Sequence, residues 1–87
     1  MSCIEVTISN ETGLHTRPGN ELVKLVKSFE GSTIELEKGE RKVVGNSLLK
    51  IMSLAVKKGD MLKIHISGGD EAKIGEQLVF FFANLKD

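Results

Sequence analysis

The chain has 87 residues, 40% of them apolar, and its twelve Lys and Arg side chains are matched by twelve Asp and Glu. That balance excludes a disordered or fibrous chain, argues against the broad positive footprint that direct nucleic-acid binding needs, and leaves room for one small domain over residues 1–87. A lone cysteine, Cys3, excludes an intrachain disulfide, and the lack of Trp and Tyr removes the usual base-stacking platform.

Ile4, Val6 and Ile8 alternate with Cys3, Glu5 and Thr7, the period of a half-buried strand. A polar loop follows over residues 9–13. Leu22, Leu25, Val26 and Phe29 then recur at spacings of three and four and predict a helix over about 16–29, which Gly31 stops. Two short strands, 33–37 and 40–44, flank Lys38-Gly39 as a hairpin. Ser47 suits the N-cap of a short helix carrying Leu48, Leu49, Ile51 and Met52.

After a turn at Lys57-Lys58-Gly59-Asp60, the alternation over 61–67 turns Leu62, Ile64 and Ile66 inward and Lys63 and His65 outward. Asp70 is placed to cap a last helix over about 71–85, with Ile74, Leu78, Phe81, Phe82 and Leu85 as its buried stripe. Gly75 inside that helix costs about 0.5–1 kcal/mol relative to alanine. The run Phe80-Phe81-Phe82 is wider than one buried face requires, so at least one ring is expected to be partly exposed, packed against the sheet edge in preference to forming a self-association patch. The resulting order, β-α-β-β-α-β-α, predicts an α+β fold with an antiparallel sheet covered by helices on one side. No apolar run approaches the roughly 20 residues that span a bilayer, and no export signal is seen, so a cytoplasmic location without membrane insertion is expected.

The segment Gly13-Leu14-His15-Thr16-Arg17-Pro18-Gly19 gathers an imidazole, a guanidinium and the start of a helix. Gly13 permits a turn or close backbone approach, and Pro18 is tolerated in a first helical turn because its missing N–H costs no hydrogen bond. The free N–H groups and positive dipole end of such a turn favour an anion. The cluster is suited to holding a phosphoryl group on a ring nitrogen.

This heptapeptide, the element order and the stretch Asn46-Ser47-Leu48-Leu49-Lys50-Ile51-Met52-Ser53-Leu54 together resemble the HPr family, the histidine-containing phosphocarriers of the bacterial phosphotransferase system. The resemblance runs over nearly the whole chain and includes Lys57-Lys58-Gly59 and Gly69-Asp70-Glu71. It implies an open-faced β-sandwich, a four-stranded antiparallel sheet with three helices on one face. It also implies that His15 accepts a phosphoryl group on Nδ1 from enzyme I and passes it to an enzyme IIA domain, with no cofactor or metal and no enzymatic turnover of its own. Arg17 would offer paired donors to the phosphoryl oxygens, helped by the backbone N–H groups of Thr16 and Arg17.

Ser47 aligns with the serine that some relatives phosphorylate through HPr kinase/phosphorylase to engage a catabolite-control repressor; a plain N-cap is the equally weighted reading. Docking would use Leu48, Leu49 and Met52 with Asn20, beside a basic rim of Lys24, Lys27 and Lys50, with Arg17, Lys24 and Lys27 sharing one helical face. Thr16 and Gly19 stand where alanine is usual, and Asn46 where lysine is frequent. Those departures bear on partner choice and leave a nitrogen-branch carrier or a regulatory HPr-like protein as alternatives. Thr16 could donate to the phosphate or cap the helix, and Gly19 is expected to loosen the first turn. His65 is expected to be a solvent-exposed strand residue, and a metal site built on His15 and His65 lacks a third ligand.

Overall fold

The computed structural model describes residues 2–85. Its elements run β1 (Ser2–Thr7), α1 (Thr16–Lys27), β2 (Thr33–Lys38), β3 (Arg41–Val44), α2 (Leu48–Ser53), β4 (Met61–Ser67) and α3 (Glu71–Ala83). The strands form one antiparallel sheet in the order β1-β4-β2-β3. Antiparallel pairing with period-two side chains lets one face be apolar and the other wet. On the covered face, register sets Ile4, Ile64, Leu36 and Val43 in one row across all four strands, and Val6 beside Leu62 in another. The helices bring Leu22, Val26, Ile51, Ile74, Leu78 and Phe82 onto these rows in one continuous core. The fold is an open-faced sandwich of a four-stranded sheet and three helices.

The central position of β4 explains its pattern. It has a neighbour on each side and helices above, so Leu62, Ile64 and Ile66 lose all solvent contact. Burial of each such side chain contributes about 1.5–3 kcal/mol. On the open face a row of alternating sign, Glu5, Lys63, Glu37 and Lys42, crosses the sheet.

His65 also lies on that face, but it is half-buried and not solvent-exposed: its Nε2 sits 2.7 Å from Glu37 Oε1. Twenty-eight residues separate the two in sequence, and only the β2–β4 register brings them together. The imidazole beside Glu37 is the main reason that this carboxyl is held below its ordinary value.

Helix ends differ modestly from the periodic reading. α1 ends at Lys27, Phe29 lies beyond it half-buried, and Val23 joins the buried face instead. α3 ends at Ala83, so Leu85 packs from outside the helix; Phe81 and Leu85 are half-buried against the core. Phe81 and Phe82 meet edge-to-face with centroids 5.2 Å apart, while Phe80 is 70% exposed. Asp70 caps α3 as anticipated, Oδ1 accepting from the Lys73 N–H.

The β2–β3 hairpin reaches over to the end of α2. Lys38 Nζ donates to the carbonyl oxygens of Leu54 and Ala55, and Arg41 Nη1 donates to that of Ser53 at 2.6 Å. Carbonyls at a helix C-terminus have no intrahelical partner, and here two cations supply one. No helix among the described residues is long and apolar enough to cross a membrane.

Candidate functional site

The approach to α1 is built around Gly13. Its φ of +67° lies in the left-handed region, and a Cβ there would strike the Val56 carbonyl oxygen and lie 2.8 Å from Lys57 Cα. Glycine alone accepts both conditions. Leu14 donates its N–H to the Val56 carbonyl at 3.1 Å and buries its side chain in the core. Asn10, itself buried, donates from Nδ2 to the Gly13 carbonyl at 2.7 Å. The residue that follows is thus delivered from a segment held by a facing backbone, a buried amide and the core beneath.

That residue is His15, the N-cap of α1. Its backbone is extended, and its carbonyl accepts the first helical hydrogen bond from the Gly19 N–H at 2.8 Å. N-caps are usually Ser, Thr, Asp or Asn, whose side chains turn back onto the helix. The His15 side chain makes no such bond and remains available for chemistry. Its ring is half-buried, with Nε2 enclosed and without a hydrogen-bond partner. Thr16 is the first helical residue and exposed, so the capping role considered for it falls to the preceding position. Pro18 carries no N–H, which leaves Thr16 and Arg17 to supply the remaining N–H groups of the turn. No acidic residue occupies that turn, so nothing there offsets the positive end of the dipole.

Arg17 is exposed and borders, with Pro18, a groove of about 610 Å³ between α1 and α3, walled also by Leu25, Phe80 and Phe81. Lys24 and Lys27 are exposed, Lys24 4.0 Å from Glu21. Lys27 borders a different hollow, with Val44 and Asn46, from the one that Arg17 borders. Ten helical steps of 100° leave the two side chains about 80° apart around the axis, within one broad face.

Gly19 has a packing reason beside its low helix propensity. It is buried where α1 meets α2, and a Cβ on it would lie 2.8 Å from Leu48 Cδ1 and 3.8 Å from Met52 Sδ. The missing side chain is what lets the two helices close. Leu48 is therefore half-buried, whereas Leu49 is 80% and Met52 36% exposed, beside exposed Lys50 and Asn20. Ser47 caps α2, its Oγ accepting from the Lys50 N–H at 3.4 Å. Among the described residues no group of three or more His, Cys, Asp and Glu side chains is placed to hold a metal ion.

Sequence reasoning did not find Asn10 or residues 55–57 as parts of this site. An asparagine three positions ahead of a glycine is a turn signal, but its burial comes from contacts across the fold.

A nucleophilic imidazole, an unopposed helix start and a nearby guanidinium can together hold and exchange an anionic group. Comparison with known proteins names the family. The model described as "PTS HPr component phosphorylation site" matches residues 3–84. The phosphocarrier protein HPr of Haemophilus influenzae is 37% identical over 83 residues, covering 95% of this chain and 94% of the relative. A multiphosphoryl transfer protein of Escherichia coli O157:H7 is 38% identical over 68 residues, 76% of this chain and 18% of that longer protein. The structure of HPr-C-His from Thermoanaerobacter tengcongensis superposes with a TM-score of 0.89 at 36% identity, covering 95% and 92% of the two chains. The chain belongs to the HPr family, phosphocarriers of the phosphotransferase system.

Proposed function

We propose that His15 is the phosphorylated residue, reacting at Nδ1, and that it relays the phosphoryl group from a phosphohistidine of enzyme I to a histidine of an enzyme IIA domain. The observation that carries this reading is the state of the ring: Nε2 is enclosed and Nδ1 is the nitrogen left to react. With the ring proton on Nε2, the Nδ1 lone pair attacks phosphorus. The P–N bond to the donor imidazole breaks, and its electron pair leaves with that imidazole. Delivery to the acceptor is the reverse step. The dipole of α1, the Thr16 and Arg17 N–H groups and the Arg17 guanidinium stabilise the charge of the transferring group. Acceptance and delivery together restore the unphosphorylated chain, and between them the chain itself holds the group, so it serves as a carrier in the cytoplasm and not as an enzyme.

Exposed Leu49 and Met52, with Leu48, Asn20, Lys24, Lys27 and Lys50 around them, form the docking face for both partners in this reading. Ser47, half-buried at the head of that face and held by one long hydrogen bond, is the place where phosphorylation by HPr kinase/phosphorylase would set a dianion against an acidic partner.

Incubation with enzyme I and phosphoenolpyruvate is expected to give an acid-labile adduct that is absent from His15→Ala. In Arg17→Ala the rate of transfer is expected to fall with the fold retained. A protein that forms no adduct with any related enzyme I is not a carrier.

A further inference from the structure

Gly13 and Leu14 hang on Val56 and Lys57, and the side chains that hold this loop come from β2 and from the turn before β4. Ala55 is, among the described residues, the one non-glycine with a left-handed φ, 52°. Such a conformation persists only where surrounding bonds enforce it. Two sets of bonds hold it: the Ala55 N–H donates to the Met52 carbonyl at 3.1 Å where α2 ends, and Lys38 Nζ donates to the Leu54 carbonyl at 3.2 Å and the Ala55 carbonyl at 2.8 Å and lies 3.0 Å from Asp60 Oδ2. The same Asp60 oxygen accepts the Lys57 N–H at 2.8 Å. One ammonium and one carboxylate therefore grip the loop at both ends. Between the two grips, the Val56 carbonyl receives the Leu14 N–H, and Gly13 packs against the Val56 and Lys57 backbone.

We infer that Lys38 and Asp60 are positioning residues for phosphoryl transfer: they brace residues 55–57 in the conformation that holds Gly13 and Leu14, and so set where the His15 ring stands. The catalytic consequence rests on the function proposed above; the brace itself does not. Lys38 comes from β2 and touches neither His15 nor α1, so its effect passes through the loop. Arg41 separately holds the Ser53 carbonyl, which leaves α2 anchored when Lys38 is replaced.

The test uses Lys38→Met, Asp60→Asn and the double variant of the full chain, read by amide hydrogen exchange and by steady-state phosphorylation with enzyme I. Loss of a charge-assisted bond is expected to speed exchange at the Leu14 amide by about tenfold in each single variant, while the Ile64 amide in β4 is unaffected. The double variant should change by less than the sum of the two singles, since the residues pair with each other in one brace. The kcat for His15 phosphorylation should fall several-fold, with KM for enzyme I held, and the ring proton shifts of His15 should move. Unchanged Leu14 exchange, equal acceleration at Ile64, fully additive effects, or a rise in KM alone would each overturn the proposal. Asp60→Asn preserves shape and gives the reading should Lys38→Met fold poorly. Failure of enzyme I to phosphorylate the unsubstituted chain would sink the carrier function, and exchange at Leu14 would still decide the brace.

Discussion

Gly19 and Leu48 meet where α1 crosses α2, and the space between them does not admit a methyl group: a Cβ on Gly19 would sit 2.8 Å from Leu48 Cδ1. The obstructing atom is the end of a flexible side chain, so Leu48 can swing away. In Gly19→Ala a gain of about 1 kcal/mol in helix propensity opposes a rotamer and packing cost of about 0.5–1.5 kcal/mol. Urea unfolding should therefore show little net change. The displaced Leu48 alters the docking face, and KM for enzyme I should shift by about threefold with less change in kcat. A loss above about 1.5 kcal/mol would mean that Leu48 cannot move.

Gly13→Ala is the opposite case, because the obstruction is backbone. The left-handed φ costs an L-residue about 1–2 kcal/mol, and the Val56 carbonyl cannot rotate out of the way without losing the Leu14 N–H. A total loss of about 2–4 kcal/mol in urea unfolding is expected, with slowed phosphorylation of His15. A variant as stable as the original would show that residues 55–57 do not press on Gly13 as described.

Gly75→Ala should stabilise. Gly75 sits inside α3 without a left-handed φ, and a Cβ would make ordinary contacts with Ile66 Cδ1 at 3.6 Å and Ile4 Cγ2 at 3.8 Å. The expected gain is about 0.5–1 kcal/mol, seen as a higher urea midpoint at unchanged slope. A lower midpoint would mean that α3 needs to approach β1 more closely than a methyl allows.

Acid should act through Glu71. The Ser2 hydroxyl at 2.7 Å and the Gly68 N–H at 2.9 Å help hold its carboxyl down to about 2, from an ordinary value of 4.5. A folded-state value below the unfolded one means the unfolded chain takes up the proton first as pH falls. The stability Glu71 contributes is thus full above about 4.5 and is lost on the way down to about 2. Glu71→Gln should melt at a lower temperature than the original near neutral pH, and the gap should close across that window. A gap independent of pH would assign the effect to shape and not to charge.

The elements themselves were legible in the chain because each is written in local periodicity. Alternation in 61–67 located β4, the three-and-four spacing of Leu22, Val26 and their neighbours located α1, and Ser47 and Asp70 marked the helix starts they cap. His15 was equally visible, since a glycine, a histidine, an arginine and a proline within six residues are a local signal.

What local pattern could not carry is how far apart in sequence the contacting groups lie. His65 reads as an outward strand residue until the β2–β4 register sets it against Glu37. Gly19 reads as a weak helix position until α2 closes over it, and Lys38 reads as a hairpin charge until it reaches the carbonyls of Leu54 and Ala55. The sequence by itself determined the β-α-β-β-α-β-α order and singled out His15 as the candidate histidine, because both rest on spacings of a few residues. Only the tertiary structure decided which ring nitrogen is enclosed, what grips the loop behind Gly13, and which apolar side chains of α2 stay exposed. Those depend on surfaces that meet only after the sheet has paired and the helices have packed.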